Sequence, residues 1–148
     1  MRINKEIYNN ILTLVRDIPP ESGGILGEKD GVIQFVVYDE GRKTGKMCSY
    51  SPDVQKLNVV IQDWQEKGIL FCGIFHTHFF GVETLSEGDR LYIKMIMEQM
   101  PMEIEKLFFP IVVLPQREFV VYVASREQGP LIIKKDTILI EGGKEYVE

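Results

Sequence analysis

Residues 69–89 read ILFCGIFHTHFFGVETLSEGD. The first part, Ile69 to Phe75, is a near-continuous apolar run of strand length. A run without alternation predicts a strand buried on both faces, the kind that helices cover from either side. It leads straight into His76-Thr77-His78, which holds both histidines of the chain. On a strand, residues i and i+2 leave the same face about 6.6–7 Å apart at the backbone, so two imidazoles can converge there. A loop then leads to Ser86-Glu87-Gly88-Asp89. From about Glu87 to Met100 the residues Leu91, Ile93, Met95, Ile96 and Met100 recur as the apolar positions of a helix, and Pro101 ends it.

Working outward, residues 3–16 place Ile7, Ile11, Leu14 and Val15 at helical spacing, and Asp17-Ile18-Pro19-Pro20 stops that helix. Glu21-Ser-Gly-Gly precedes a short apolar run, Ile25-Leu26-Gly27. Asp30-Gly31 is a hairpin turn signal, and Val32 to Tyr38 reads as the strand after it. Residues 39–50 are polar and glycine-punctuated, the composition of a mobile loop. Ser51-Pro52-Asp53 predicts a helix start, with Ser51 as N-cap and Pro52 in the first turn. Leu57, Val60, Ile61 and Trp64 form its buried stripe, and Lys67-Gly68 closes it. Beyond Pro101, strands are predicted at Leu107–Leu114, Glu118–Ala124 and Leu131–Leu139, with a polar tail after Ile140. The order helix, two strands, helix, strand, helix, three strands implies an α/β (α+β) chain with a mixed sheet and helices packed against it.

The 148 residues are 45% hydrophobic and 26% charged, enough for one domain over 1–148 with a core that needs no disulfides. With 17 Lys+Arg against 22 Asp+Glu, the net charge is −5. Without a basic run, nucleic-acid binding is not expected. No apolar stretch reaches the roughly 18–20 residues that span a bilayer, and the start does not resemble a secretory signal. The chain therefore reads as soluble and cytoplasmic, and its two cysteines, Cys48 and Cys72, as free buried thiols. Cys72 shares strand parity with His76 but lies four residues away, about 13 Å, too far for a shared ion.

Each chemical signal has a plain and a functional reading. His76 and His78 form either a polar strand end or half of a zinc site, since zinc takes imidazole nitrogen and carboxylate oxygen. Strand ends in α/β sheets are where ligand sites gather. Asp89 is then the best candidate for a third ligand. Ser86-x-x-Asp89 is equally a capping box, and both readings can hold together, the cap aiming the carboxylate. Glu21, between two prolines and two glycines, is either a solvated acid or a general base that returns its proton to a leaving amine.

Taken together, Glu21, His76-x-His78, seven residues, then Ser86-x-x-Asp89 resembles the JAMM (MPN-plus, Mov34/PAD-1) metalloprotease signature over roughly residues 1–125. The resemblance implies that His76, His78 and Asp89 hold one Zn²⁺, that Glu21 serves as general base and acid toward a zinc-activated water, and that Ser86 stabilises the oxyanion. It implies a curved mixed β-sheet flanked by helices, of the cytidine-deaminase-like kind. It further implies cleavage after the C-terminal tail of a ubiquitin-like protein, by deconjugation or precursor trimming, with activating and conjugating enzymes of the same operon as possible partners. The chain departs from the pattern at Phe79 and Leu85, where many members carry proline, and Phe79 and Phe80 can pack in the core or border a substrate groove. Inside the resemblance, a non-catalytic MPN scaffold is the alternative. A RadC-type relative lacks room for its upstream helix-hairpin-helix, and zinc deaminase chemistry lacks its Cys-x-x-Cys.

Overall fold

The computed structural model describes residues 1–41 and 50–142. Cys48, most of the polar 39–50 stretch and the end of the polar tail lie outside the described residues.

Eleven elements follow one another: β1 Arg2–Asn4, α1 Lys5–Leu14, β2 Gly23–Lys29, β3 Val32–Asp39, α2 Val54–Glu66, β4 Leu70–His78, α3 Glu87–Gln99, β5 Lys106–Val113, β6 Glu118–Ser125, β7 Ile132–Asp136 and β8 Leu139–Glu141. All eight strands join one mixed sheet in the order β7-β6-β5-β4-β2-β3-β1-β8. The uninterrupted apolar strand β4 sits inside it, antiparallel to β2 and parallel to β5. Parallel neighbours need a crossover, and α3 supplies it.

The sheet is rolled. β7 and β8 stand at opposite ends of the strand order, yet only Thr137 and Ile138 separate them in sequence. The three Cα–Cα steps from Asp136 to Leu139 span at most about 11 Å, so the sheet must curl until its edges approach. Helices cover both faces. Ile11 of α1 and its C-cap Val15 pack with Leu26, Phe75 and Val112 on one side. Leu57 and Trp64 of α2, with Ile93, Ile96 and Met97 of α3, pack with Ile25, Ile74 and Ile111 on the other. The pairs Ile25/Leu26, Ile74/Phe75 and Ile111/Val112 divide between the faces as period-two alternation requires.

The structure revises several expectations. Ile3 belongs to β1 and is fully buried, and helix α1 begins only after its N-cap Asn4. Helix α2 is capped by Asp53, whose carboxylate accepts from the N–H groups of Gln55 and Lys56 at 3.1 and 3.3 Å, leaving Ser51 and Pro52 outside. The predicted strand Leu131–Leu139 is two strands with a corner at Thr137-Ile138. On α3 the buried positions besides Asp89 are Tyr92, Ile93, Ile96 and Met97. Leu91 and Met95, expected in the core, are 60% and 51% exposed.

Cys72 is also turned from its expected direction. Gly27 pairs with Phe71 and Leu26 with Gly73, so Cys72 is the extra residue of a β-bulge in β4. An extra residue reverses strand parity. Cys72 consequently joins the α1-side core, while Ile74 and the histidine end serve the opposite face. Its thiol is buried, lies 3.5 Å from the carbonyl oxygen of Leu26, and is pushed well up in pKa by burial.

Candidate metal centre

The C-terminal end of strand β4 carries both imidazoles on the face covered by α2 and α3. Their Nε2 atoms are 2.9 Å apart. The Asp89 carboxylate completes the cluster, with Oδ1 3.2 Å from His76 Nε2 and Oδ2 3.0 Å from His78 Nε2. A capping box holds that carboxylate at the head of α3. The Ser86 N–H donates to Asp89 Oδ2 at 2.9 Å, and the Asp89 N–H donates to Ser86 Oγ at 3.0 Å. The structural and functional readings of Ser86-x-x-Asp89 thus coincide in one geometry.

Tautomers follow from the outer nitrogens. His78 Nδ1 lies 3.1 Å from the Val82 carbonyl oxygen, which can only accept, so Nδ1 carries hydrogen and the neutral ring directs a lone pair from Nε2. His76 Nδ1 lies 2.9 Å from the Tyr92 hydroxyl. Two imidazole Nε2 atoms and an anionic carboxylate facing one point repel each other unless a cation, proton or metal, lies between them. Nitrogen and carboxylate donors at about 3 Å spacing suit zinc, whose bonds to such ligands are about 2.0–2.2 Å.

Glu21 reaches the same point from the segment before β2. The Thr77 N–H donates to the Ser22 carbonyl oxygen at 2.8 Å, and the Ser22 N–H donates to Thr77 Oγ1 at 3.0 Å. These bonds lash the Glu21 segment to the middle residue of the histidine pair. Close approach needs glycine next in the chain, because a Cβ on Gly23 would stand 2.2 Å from the Phe75 carbonyl oxygen. Glu21, His76 and His78 offer ligand atoms within 4.8 Å of one another and are close enough to hold a metal ion.

The two carboxylates differ in state. Burial pushes the Glu21 carboxyl up to about 7, opposed by His78 and reinforced by Asp89. Burial alone would also raise Asp89, but its hydrogen bonds with His76 and His78 outweigh that and hold it far below the carboxylate range. Burial lowers His76. In His78 burial acts the same way, and the bond and charge of Asp89 reverse it to a net rise. One carboxylate is thus fixed as an anion beside the imidazoles, while the other is suited to exchanging a proton near neutrality.

The centre opens into a groove of about 600 Å³, lined by Glu21, Tyr50, His78, Ser86 and the apolar rim. Phe79 and Phe80 both line the groove but differ in burial. Phe79 is buried in the α1-side core, whereas Phe80 is 84% exposed at the groove, in the left-handed region at φ +59. Leu91 and Met95 line the same groove, which accounts for their exposure on a helix otherwise buried on its apolar side.

All five residues singled out by the signature, Glu21, His76, His78, Ser86 and Asp89, meet here. Three neighbours were not identified from sequence. Thr77 is the unspecified middle residue of His-x-His, and the pattern gives it no role. Tyr92, three residues after Asp89 and so on the same helix face, carried a legible signal. Tyr50 stacks on His76 at 5.7 Å and 10°, and its hydroxyl donates to Asp39 at 2.9 Å; nothing in its sequence surroundings marks that role.

No protein-family profile and no curated protein matches the sequence. Solved structures do match. The solution structure of protein DSY2949 from Desulfitobacterium hafniense superposes with a TM-score of 0.66 at 21% identity, covering 97% of this chain and 94% of that one. The crystal structure of AF2198, a JAB1/MPN domain protein from Archaeoglobus fulgidus, superposes with a TM-score of 0.56 at 14% identity, covering 95% and 97%. At such identities the likeness concerns architecture: the rolled mixed sheet with its three helices is a fold shared with a JAB1/MPN domain protein.

Proposed function

We propose that the chain is a zinc-dependent peptidase or isopeptidase of the JAMM type, acting on the bond after the C-terminal tail of a ubiquitin-like protein. The observation that carries this reading is the convergence of His76, His78 and Asp89 on one point, with Glu21 facing it from a separate segment. The substrate class rests on the resemblance of these residues to the JAMM signature, and an open groove beside them leaves room for an extended tail. Such a tail is presented either in a conjugate or in a precursor, and activating and conjugating enzymes are the partners this chemistry would serve.

His76, His78 and Asp89 would hold the zinc, with Glu21 left as the base. A divalent cation there supplies Lewis acidity, lowering the pKa of water and polarising a carbonyl. The Glu21 carboxylate accepts a proton from the attacking water and returns it to the leaving amine, the task for which a pKa near the working pH is best suited. Ser86 Oγ accepts the Asp89 N–H and lines the groove, so its own O–H is available to the carbonyl oxygen that gains negative charge.

Elemental mass spectrometry of the purified protein, beside cleavage of linear ubiquitin-like fusions, tests the reading. About one zinc per chain is expected, lost in His76→Ala and in Asp89→Ala. Glu21→Gln should retain the metal and lose about 10²–10⁴-fold in turnover. A wild-type protein that takes up no zinc would overturn the reading and make a non-catalytic scaffold the leading one.

A further inference from the structure

His76 is fully buried and has two ring nitrogens to satisfy. Nε2 faces the point shared with His78 and Asp89. Nδ1 faces away, and among the described residues its hydrogen-bond partner is the Tyr92 hydroxyl at 2.9 Å. Tyr92 sits one helical turn beyond Asp89 on α3 and is itself buried against Phe109. Around the imidazole, Tyr50 stacks face to face, while Tyr92 meets it edge-on with centroids 5.7 Å apart at 77°. The stacking limits tilt of the ring. It does not decide which nitrogen bears the proton.

For Nε2 to offer a lone pair from a neutral ring, the proton must be on Nδ1, and a buried N–H needs an acceptor. His78 has a backbone carbonyl for this, which fixes its tautomer. Among the described residues His76 has only a phenol for this, which can accept or donate, so its tautomer depends on that one oxygen. We propose that Tyr92 is a positioning residue: its hydroxyl oxygen accepts the Nδ1–H of His76 and thereby holds the ring in the tautomer that presents Nε2 to the metal. This rests on the metal reading given above. It assigns to α3 a second contribution to the centre, one turn after the Asp89 carboxylate, and both act on His76. Partners of this kind, one shell out from a metal, orient the ligand and raise its basicity.

The test is Tyr92→Phe, which removes one oxygen and keeps the ring that packs on Phe109. Zinc affinity, measured by competition with a chelator, should fall about 10–100-fold, while the metal-free variant keeps a cooperative thermal transition. Nitrogen-15 NMR of zinc-loaded wild type should show His76 protonated at Nδ1, with that N–H exchanging faster in the variant. A variant affinity within about twofold of wild type overturns the proposal. So does a zinc-loaded His76 unprotonated at Nδ1, a result the wild type alone supplies if the variant does not fold. The two readings separate cleanly: wild type that binds zinc while the variant is unaffected removes only the role of Tyr92, whereas wild type that binds none removes the metal centre as well.

Discussion

Glu21 and Asp89 are carboxylates beside the same two histidines, and their surroundings drive them to opposite states. Asp89 receives hydrogen bonds that favour its charge, whereas Glu21 is desolvated without equal compensation. The consequence for stability has a definite sign. A carboxyl whose folded pKa is raised from 4.5 to about 7 contributes its stability below the unfolded value and loses it as pH climbs through the folded one. In metal-free protein, Glu21→Gln should therefore be more stable than wild type at pH about 7.5, with the gain vanishing near pH about 4.5. Urea denaturation at both pH values measures this, and an equal difference at the two would show that Glu21 ionises normally. Glu21, His76, His78, Ser86 and Asp89 were legible because their spacing along the chain is itself the signal. Thr77 and Tyr50 were not, since their roles arise only where β4 meets the Glu21 segment and where the stretch before α2 folds over His76.

Element boundaries were legible where a side chain acts on its own helix end, and misread where two candidates compete. Ser86 and Asp89 satisfy each other at the head of α3 as the sequence pattern predicts. At α2, Ser51 and Asp53 are both good caps, and Pro52 at the first helical position favoured Ser51. The contact that decides is remote: Asp39 Oδ2 accepts both the Asp53 N–H at 3.2 Å and the Tyr50 hydroxyl at 2.9 Å, and this tie from the end of β3 fixes where the helix begins. Asp53→Ala should cost about 1 kcal/mol in chemical denaturation and Ser51→Ala less than about 0.5 kcal/mol; the reverse order would restore Ser51 as the cap. The bulge in β4 escaped sequence reading for a similar reason, because parity counts assume an unbroken ladder and Cys72 interrupts this one. The end of β4 depends on Thr77 as well. Thr77→Val keeps the shape and leaves the Ser22 N–H without its side-chain acceptor, a loss of about 1–3 kcal/mol. Because Asp89, His76 and His78 are untouched, zinc should be retained while turnover falls, and unchanged turnover would mean that Glu21 is held by other contacts.

At the scale of the molecule, the mixed sheet, the three helices and the strands β2 to β6 were legible in the residue pattern, whereas the curvature of the sheet was legible only through the family resemblance. Roll depends on β1 and β8, three residues each, too short for any period to register. They nevertheless pair in parallel through Arg2–Leu139, Ile3–Ile140 and Asn4–Glu141, and the Arg2 guanidinium meets the Glu141 carboxylate at 2.5 and 2.8 Å. The candidate metal centre lies away from that seam and draws on a different set of segments: the stretch before β2, the end of β4 and the head of α3. A ligand that joins segments distant in sequence cannot bind the unfolded chain in the same way, so its binding free energy adds to folding. Free zinc at 100 times its dissociation constant should contribute about 2.7 kcal/mol, which for a chain of this size raises the thermal midpoint by about 5–11 °C. Chelation should reverse the shift, and His76→Ala should show none. Differential scanning calorimetry with and without zinc decides the matter. An equal shift in wild type and His76→Ala would place the metal elsewhere on the surface. A shift confined to wild type would mean that the bound metal ties the end of β4 to the head of α3.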